Sequence, residues 1–367
     1  MKAIALVPGT TNLRLVDRPE PGISSPDEVK LQVLQVGICG TDRTEAQGGR
    51  AEAPPGEEEL IIGHEMLGRV VETGAAVSRV EPGDFAVFSV RRGCGRCSVC
   101  NMGRSDMCYT GEYADRGIRK RDGYQTEYVV DSEEYVVKVP REIASIAVLS
   151  EPMSIAEKAI DEATLIQRAR LPDATDAWLG EKRVVVAGLG PIGLLASFAL
   201  RLRGAEVLGL DIVDPDSRRA GILESIGGHY VDGRKIRPET LGEHFGEIDL
   251  IFEATGVAHL EFDLLSALGR NGLYVLTGIP EGDRPIDIHG AVLMRNLVLG
   301  NQVIVGSVNA SKQHFEMAVD DLARVRDMWG DATDRIITHR LPYTRFADAL
   351  LTHPEDEIKA VLEWAPV

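Results

Sequence analysis

The sequence predicts an α/β protein in two parts, a β-rich part and a doubly wound parallel sheet, and three observations predict it. The first 155 residues hold short β-branched segments broken by glycine and proline. From Arg183 onward fully apolar strands alternate with helical patterns. A glycine-rich turn joins the first of those strands to its helix. A length of 367 residues, about two and a half times a ~150-residue domain, accommodates both parts.

In the first part, 28–36, 68–73, 85–90, 125–130 and 135–139 are predicted strands, short β-rich segments in several of which β-branched residues alternate with polar ones as half-buried antiparallel sheet requires. A helix follows at 154–170, where Ile155, Ala159, Ala163 and Ile166 recur at helical spacing, and Pro172 opens a polar linker. Strands at 184–187, 206–211, 229–231, 249–254, 272–277 and 298–305 have predominantly apolar centres, as strands covered on both faces require. The helices between them imply right-handed crossovers and a parallel sheet. The tail carries a helix at 315–329 and strands at 336–341 and 360–364, expected to pack back on the first part. The predicted domains are therefore 1–180 with 311–367, and 181–310.

With 44% apolar and 26% charged residues the composition is that of a soluble globular protein. Forty basic against 57 acidic residues give a net charge of −17, which repels a phosphate backbone and excludes nucleic acid as a partner. The weakly charged stretch 184–200 is interrupted by Gly188, Gly190, Pro191 and Gly193 and is too short for a ~20-residue span, so no membrane is expected. The N-terminus lacks the apolar core and cleavage site of a signal peptide, which predicts a cytoplasmic protein.

The turn Gly188-Leu189-Gly190-Pro191-Ile192-Gly193 follows a strand and opens a helix, the context that makes it a dinucleotide-binding fingerprint. Gly188 permits the tight turn, Gly190 lets the backbone approach a pyrophosphate, and Gly193 lets helix and strand pack closely. Asp211 stands 18 residues beyond Gly193 at a strand end, where a carboxylate accepts from ribose hydroxyls and repels a 2′-phosphate. NAD is therefore favoured over NADP, although Arg218 and Arg219 could fold back onto a phosphate. Pro191, Ile192, Thr255 and Asn309 are further candidate cofactor-binding residues.

Cys94-x2-Cys97-x2-Cys100-x7-Cys108 supplies four thiolates at spacings one lobe can wrap around a tetrahedral zinc. Four soft ligands close the shell, so this ion would be structural; disulfides or an iron–sulfur cluster are the alternatives. Cys39 in GICGTD and His64-Glu65 25 residues later make a mixed thiolate, imidazole and carboxylate set that can leave a position open, as a catalytic zinc needs.

GICGTD, GHE, the GCGRCSVC…C lobe and GLGPIG, in this order, resemble the zinc-dependent medium-chain alcohol dehydrogenase superfamily across nearly the whole chain. CYTGEY, RGI, DGYQTEYVVD, Glu151-Pro152, Glu157-Lys158 and Gly306-Ser-Val-Asn309 resemble its glucose (aldose) 1-dehydrogenase branch. The resemblance implies a GroES-like catalytic domain, a Rossmann domain, and catalytic zinc held by Cys39 and His64 with Glu65 and Glu151 completing the shell. It implies Thr41 as hydroxyl relay and oxidation of an aldose to its aldono-1,5-lactone with NAD(P)+. Glu112, Asp115, Glu151, Asn309 and Thr41 are the candidates for sugar hydroxyls. Val90 and Ile155 stand where relatives often carry polar glucose contacts, which keeps a polyol, cyclitol or amino-alcohol substrate as the alternative and a non-catalytic nucleotide-binding regulator as a second. Relatives form dimers and tetramers, and the predicted 298–305 strand offers either a pairing edge for a homodimer or homotetramer or an interior strand.

Overall fold

The computed structural model describes residues 1–280, 282–283 and 285–367. Two compact units emerge, one of Met1–Ser154, Asn309–Arg326 and Thr333–Val367, the other of Ile155–Val308 and Asp327–Ala332. The division falls inside the helix Ser150–Arg170, upstream of the polar linker that marks the boundary in the sequence. The rest of that helix joins the second unit through Gln167, whose Nε2 donates to Asn271 O at 2.8 Å, and Arg170, which donates to Asn301 O.

In the first unit the long strand Glu28–Ile38 is the organiser. It pairs antiparallel with Glu65–Thr73, Tyr128–Ser132 and Lys359–Glu363. The sheet continues through Phe85–Phe88 to Val136–Val139 on one side and through Lys359–Glu363 to Ile337–Pro342 on the other. The C-terminal strands thus return to this unit, as the sequence predicts. Several strands escape the sequence reading, among them Lys2–Leu6 and Leu13–Asp17, which pair with each other, and the short Leu60–Ile61, which the first also meets. A buried carboxylate ties the sheet to the loops. Asp131 accepts from Arg92 Nη2 and Arg116 Nε at 2.7 Å each and from Arg121 Nη2 at 3.1 Å, while Arg92 lies over the Tyr135 ring.

The second unit is a parallel sheet of six strands in the order His229–Asp232, Glu206–Asp211, Arg183–Ala187, Ile248–Glu253, Leu268–Leu276, Val303–Gly306. Its centre packs Val185, Ala187, Leu208, Ile251 and Tyr274, all buried. One expectation is corrected. Residues 298–305 are not one strand: Val298 and Leu299 end the helix Gly290–Leu299, Gly300 and Asn301 turn the chain, and only Val303–Gly306 pairs, with Leu268–Leu276. Gly300-Asn301-Gln302 interrupts the apolar run, and Asn301, at φ 49°, makes the turn that this break signals and that the single-strand expectation passes over. No helix among the described residues is long and apolar enough to cross a membrane.

Candidate functional site

Cys39 follows the organising strand and caps the helix Gly40–Ala46, its Sγ accepting from Thr41 N–H at 3.2 Å while its own N–H donates to Asp42 Oδ2 at 2.9 Å. The antiparallel register sets Gly37 opposite Glu65, which carries His64 and Glu65 alongside Cys39. Gly37 is required there, because a Cβ would lie 2.0 Å from Glu65 Oε2. His64 Nε2 lies 3.1 Å from Cys39 Sγ, and Nδ1 lies 3.4 Å from Asp42 Oδ1, so the carboxylate orients the ring. One ligand atom each from Cys39, His64 and Glu65 fall within 4.8 Å of one another; Glu151 lies outside that cluster.

These residues fit a cation. Glu65 Oε2 is buried without a protein hydrogen-bond partner. Burial pulls the His64 imidazole down, yet Cys39 and Asp42 together hold it well above its ordinary range, so the pocket favours positive charge where the ring sits. Glu65 Oε1 is engaged by Lys359 Nζ at 2.5 Å, and Lys359 also donates to Ile38 O at 3.1 Å. Burial pushes Glu151, in the first turn of Ser150–Arg170, up to about 7, with His64 opposing and Glu65 reinforcing the shift.

The four lobe cysteines likewise bring one sulfur each within 4.8 Å of the others, and all five cysteines are unpaired thiols. Hydrogen bonding from Thr110 and the Arg96 backbone lowers Cys94 to about 5, whereas burial and the Cys97 and Cys108 thiols push Cys100 up to about 12. Thiols this close resist ionising together, and a divalent ion removes the conflict. The lobe is anchored by Arg91, which forks onto Asp115 with Nε 2.9 Å and Nη2 3.1 Å from its two oxygens and also donates to Asp106 O.

That anchoring changes the standing of one sugar candidate. Asp115 is buried in its pairing with Arg91, and its Oδ1 accepts Asn309 Nδ2 at 3.0 Å, so it reaches a ligand only through Asn309. Asn309 itself sits at φ 64°, a conformation asparagine tolerates. Glu112 is exposed and paired with Arg96. Thr41 lies in the first turn after Cys39.

In the second unit Gly188 takes φ 88°, and Gly193 approaches it so closely that a Cβ would lie 1.8 Å from Gly188 O. Pro191 and Ile192 open the helix Pro191–Leu202. A Cβ on Gly190 would meet nothing within 4 Å, so the turn offers an open cradle at the helix N-terminus. Asp211 accepts from Leu189 N–H at 2.7 Å and Ile212 N–H at 2.6 Å, which points its carboxylate at the turn with lone pairs to spare. Arg218 and Arg219 begin a helix capped by Ser217, and Arg218 is exposed. Thr255 is held by a residue the sequence reading missed: buried Glu253 accepts from Thr255 N–H and Oγ1 and from the Gly256 and Gly278 N–H groups. A carboxylate that follows the apolar Leu250-Ile251-Phe252 at the end of the strand is the available signal.

Residues 25–141 match the family described as alcohol dehydrogenase GroES-like domain, and residues 144–364 the family described as glucose dehydrogenase C-terminus. The chain is 38% identical over 364 residues to glucose 1-dehydrogenase 2 of Vulcanisaeta moutnovskia and 36% identical over 367 residues to glucose 1-dehydrogenase of Methanocella arvoryzae, with 99% of both chains covered in each case. Among solved structures it resembles Haloferax mediterranei glucose dehydrogenase in complex with NADP, Zn and gluconolactone, with a TM-score of 0.88, 31% identity and 100% of both chains covered.

Proposed function

Because the chain belongs to the glucose 1-dehydrogenase branch of the zinc-dependent medium-chain alcohol dehydrogenases, we propose that it oxidises an aldose at C1 to the aldono-1,5-lactone while reducing a nicotinamide dinucleotide. The observation that carries the reading is the buried Cys39–His64–Glu65 cluster, whose ligand atoms converge within 4.8 Å and leave a carboxylate oxygen unpartnered. The first unit is the catalytic domain and the second the nucleotide-binding domain.

Zinc held by Cys39, His64 and Glu65, with Glu151 as an exchanging ligand, would supply the Lewis acid that makes a sugar hydroxyl acidic. Thr41, fixed by its N–H bond to Cys39, receives the hydroxyl proton and passes it outward. Asp42 keeps the His64 ring in one orientation. Glu151, Asn309 and Glu112 recognise ring hydroxyls, and Asp115 positions the Asn309 amide. Cys94, Cys97, Cys100 and Cys108 would hold the second, structural zinc, which would thereby fix the loop bearing Glu112.

NAD is the preferred dinucleotide, because Asp211 faces the adenosine ribose; the Haloferax relative, by contrast, was solved with NADP. Arg218 and Arg219 are not needed for that contact. The chain assembles as a homodimer or homotetramer through the free edge of Val303–Gly306, where Val298, Leu299 and Ile304 are 73%, 74% and 38% exposed. Metal-binding thiols suit a reducing cytoplasm.

Apolar Val90 and Ile155 favour a second reading, oxidation of a cyclitol, polyol or amino alcohol by the same groups. A panel of aldoses, cyclitols, polyols and amino alcohols with NAD+ and NADP+, followed by nicotinamide absorbance, tests both. Acid release after turnover reports a hydrolysing lactone, and a stable ketone reports the second reading. A folded, zinc-loaded protein that turns over none of them would be a nucleotide-binding regulator.

A further inference from the structure

The strand ends that carry Asp211 and Asp232 are neighbours, paired in parallel with these two residues side by side. Beyond them the two connections are stapled together. Gly233 N–H donates to Asp211 O at 2.8 Å, and the Tyr230 hydroxyl lies 3.1 Å from Asp211 O and 2.5 Å from Val213 O.

Arg234 spans the same gap with its whole donor fork engaged. Nε and Nη2 grip Asp232 Oδ1 and Oδ2 at 2.9 and 3.0 Å, Nη2 also reaches Val213 O at 3.2 Å, and Nη1 donates to Asp214 Oδ1 at 2.8 Å. Asp232 is nearly buried, whereas Asp214 is 73% exposed, so the outer half of the grip is the releasable half. Lys235 Nζ lies 3.3 Å from Asp232 Oδ2. Asp211, Asp214 and Asp232 against Arg234 and Lys235 still leave the cluster negative.

A guanidinium fork is the side chain best matched to a phosphate, because it bonds two oxygens in one plane. Here a fork sits at the strand end beside the ribose-facing Asp211, but carboxylates occupy it. We propose that Arg234 is a caged specificity residue for the adenosine ribose: Asp214 and Asp232 hold its guanidinium away from the 2′ position, so a 2′-phosphate is rejected by this cage as well as by Asp211. The proposal rests on the dinucleotide reading above and identifies a second determinant of it.

Direct binding of NADH and NADPH, by quenching of protein fluorescence and by calorimetry, tests the cage without turnover. The wild-type chain is expected to bind NADH more tightly. Asp211→Asn removes one repulsion, and adding Asp214→Asn frees Nη1, so NADPH affinity in the double variant should rise by a further factor of roughly ten to a hundred, the worth of a charge-assisted hydrogen bond. Arg234→Met placed on that double variant should erase the added gain, and Arg234→Lys should keep part of it, while NADH affinity, lowered by Asp211→Asn itself, should stay within about threefold of the Asp211→Asn value in every variant built on it, and circular dichroism should report an intact fold throughout. A gain that survives Arg234→Met, no gain from Asp214→Asn, or a loss of NADPH binding from Arg234→Met in the otherwise wild-type chain would each overturn the cage. A wild-type chain that binds neither dinucleotide would instead overturn the nucleotide reading on which it rests.

Discussion

Lys359 Nζ sits 2.5 Å from Glu65 Oε1, with each side chain only 2% exposed, so an ion pair with no access to water stands directly behind the candidate metal ligands. Burial pulls the Lys359 ammonium down, but Glu65 and Cys39 hold it above its ordinary range, so the ammonium keeps its proton. Such a pair is costly to break from one side, because the survivor is left buried and alone.

Lys359→Met should therefore lower the unfolding free energy of the metal-stripped protein by about 3–5 kcal/mol. Adding Glu65→Gln should restore most of that loss, giving a coupling energy well above zero in a urea-unfolding cycle. Simple additivity of the two substitutions would refute the pairing.

The cysteine lobe makes a stoichiometric prediction. Cys100→Ser should reduce zinc content from two ions per chain to one, measured by atomic emission after gel filtration, and should expose the segment around Cys94 and Cys108 to protease. Cys39→Ser should also remove one ion, but with the lobe still resistant and substrate-dependent NADH production lost.

Gly190 separates folding from binding. Its backbone is ordinary, at φ −70°, and its missing side chain faces open space, so Gly190→Val should change stability by no more than about 0.5 kcal/mol. Dinucleotide affinity should nevertheless fall at least about tenfold, because the valine fills the cradle at the helix N-terminus. Gly193→Ala is the contrasting variant: it drives a methyl into Gly188 O, and the thermal midpoint should drop.

Asp131 governs acid stability. Burial pushes its carboxyl up, but Arg116, Arg92 and Arg121 hold it well below the usual carboxylate range. A depressed pKa stabilises the fold above the unfolded value of 3.8, and that stabilisation drains away as pH falls toward the folded value. Asp131→Asn should be less stable than wild type by about 3–5 kcal/mol at pH 7. The difference should be constant down to about pH 5 and narrow below pH 4. A gap that does not depend on pH would show that packing, not charge, is what the substitution removes.

The residues legible in the sequence are those whose partners are close along the chain. The lobe cysteines span 94 to 108, and the fingerprint turn reads Asp211 one strand away, so local spacing carries the chemistry. The strand at 28–36 is legible for the same reason, Val29, Leu31 and Val33 alternating with Lys30 and Gln32, whereas 85–90 is legible as a short apolar and aromatic run, of which Phe85–Phe88 forms the strand. Lys359 was invisible: it lies 294 residues from Glu65, and lysine ordinarily faces water. Asp115 was read as a sugar ligand because a loop acid carries no mark of the arginine that will claim it. Asp42 went unread because its orienting role exists only after His64 folds beside it.

The organising strand Glu28–Ile38 acquires its Lys359–Glu363 neighbour from the other side of the whole six-stranded parallel sheet in sequence, 321 residues separating Ile38 from Lys359. On the ribosome, Cys39, His64 and Glu65 therefore emerge long before the ammonium that pairs with Glu65, which is translated 294 residues after it. The nascent chain must carry an unfinished β-sheet while the whole intervening parallel sheet is made, and a chain cut before Lys359 would keep the strands of that second sheet but leave Glu65 without its ammonium.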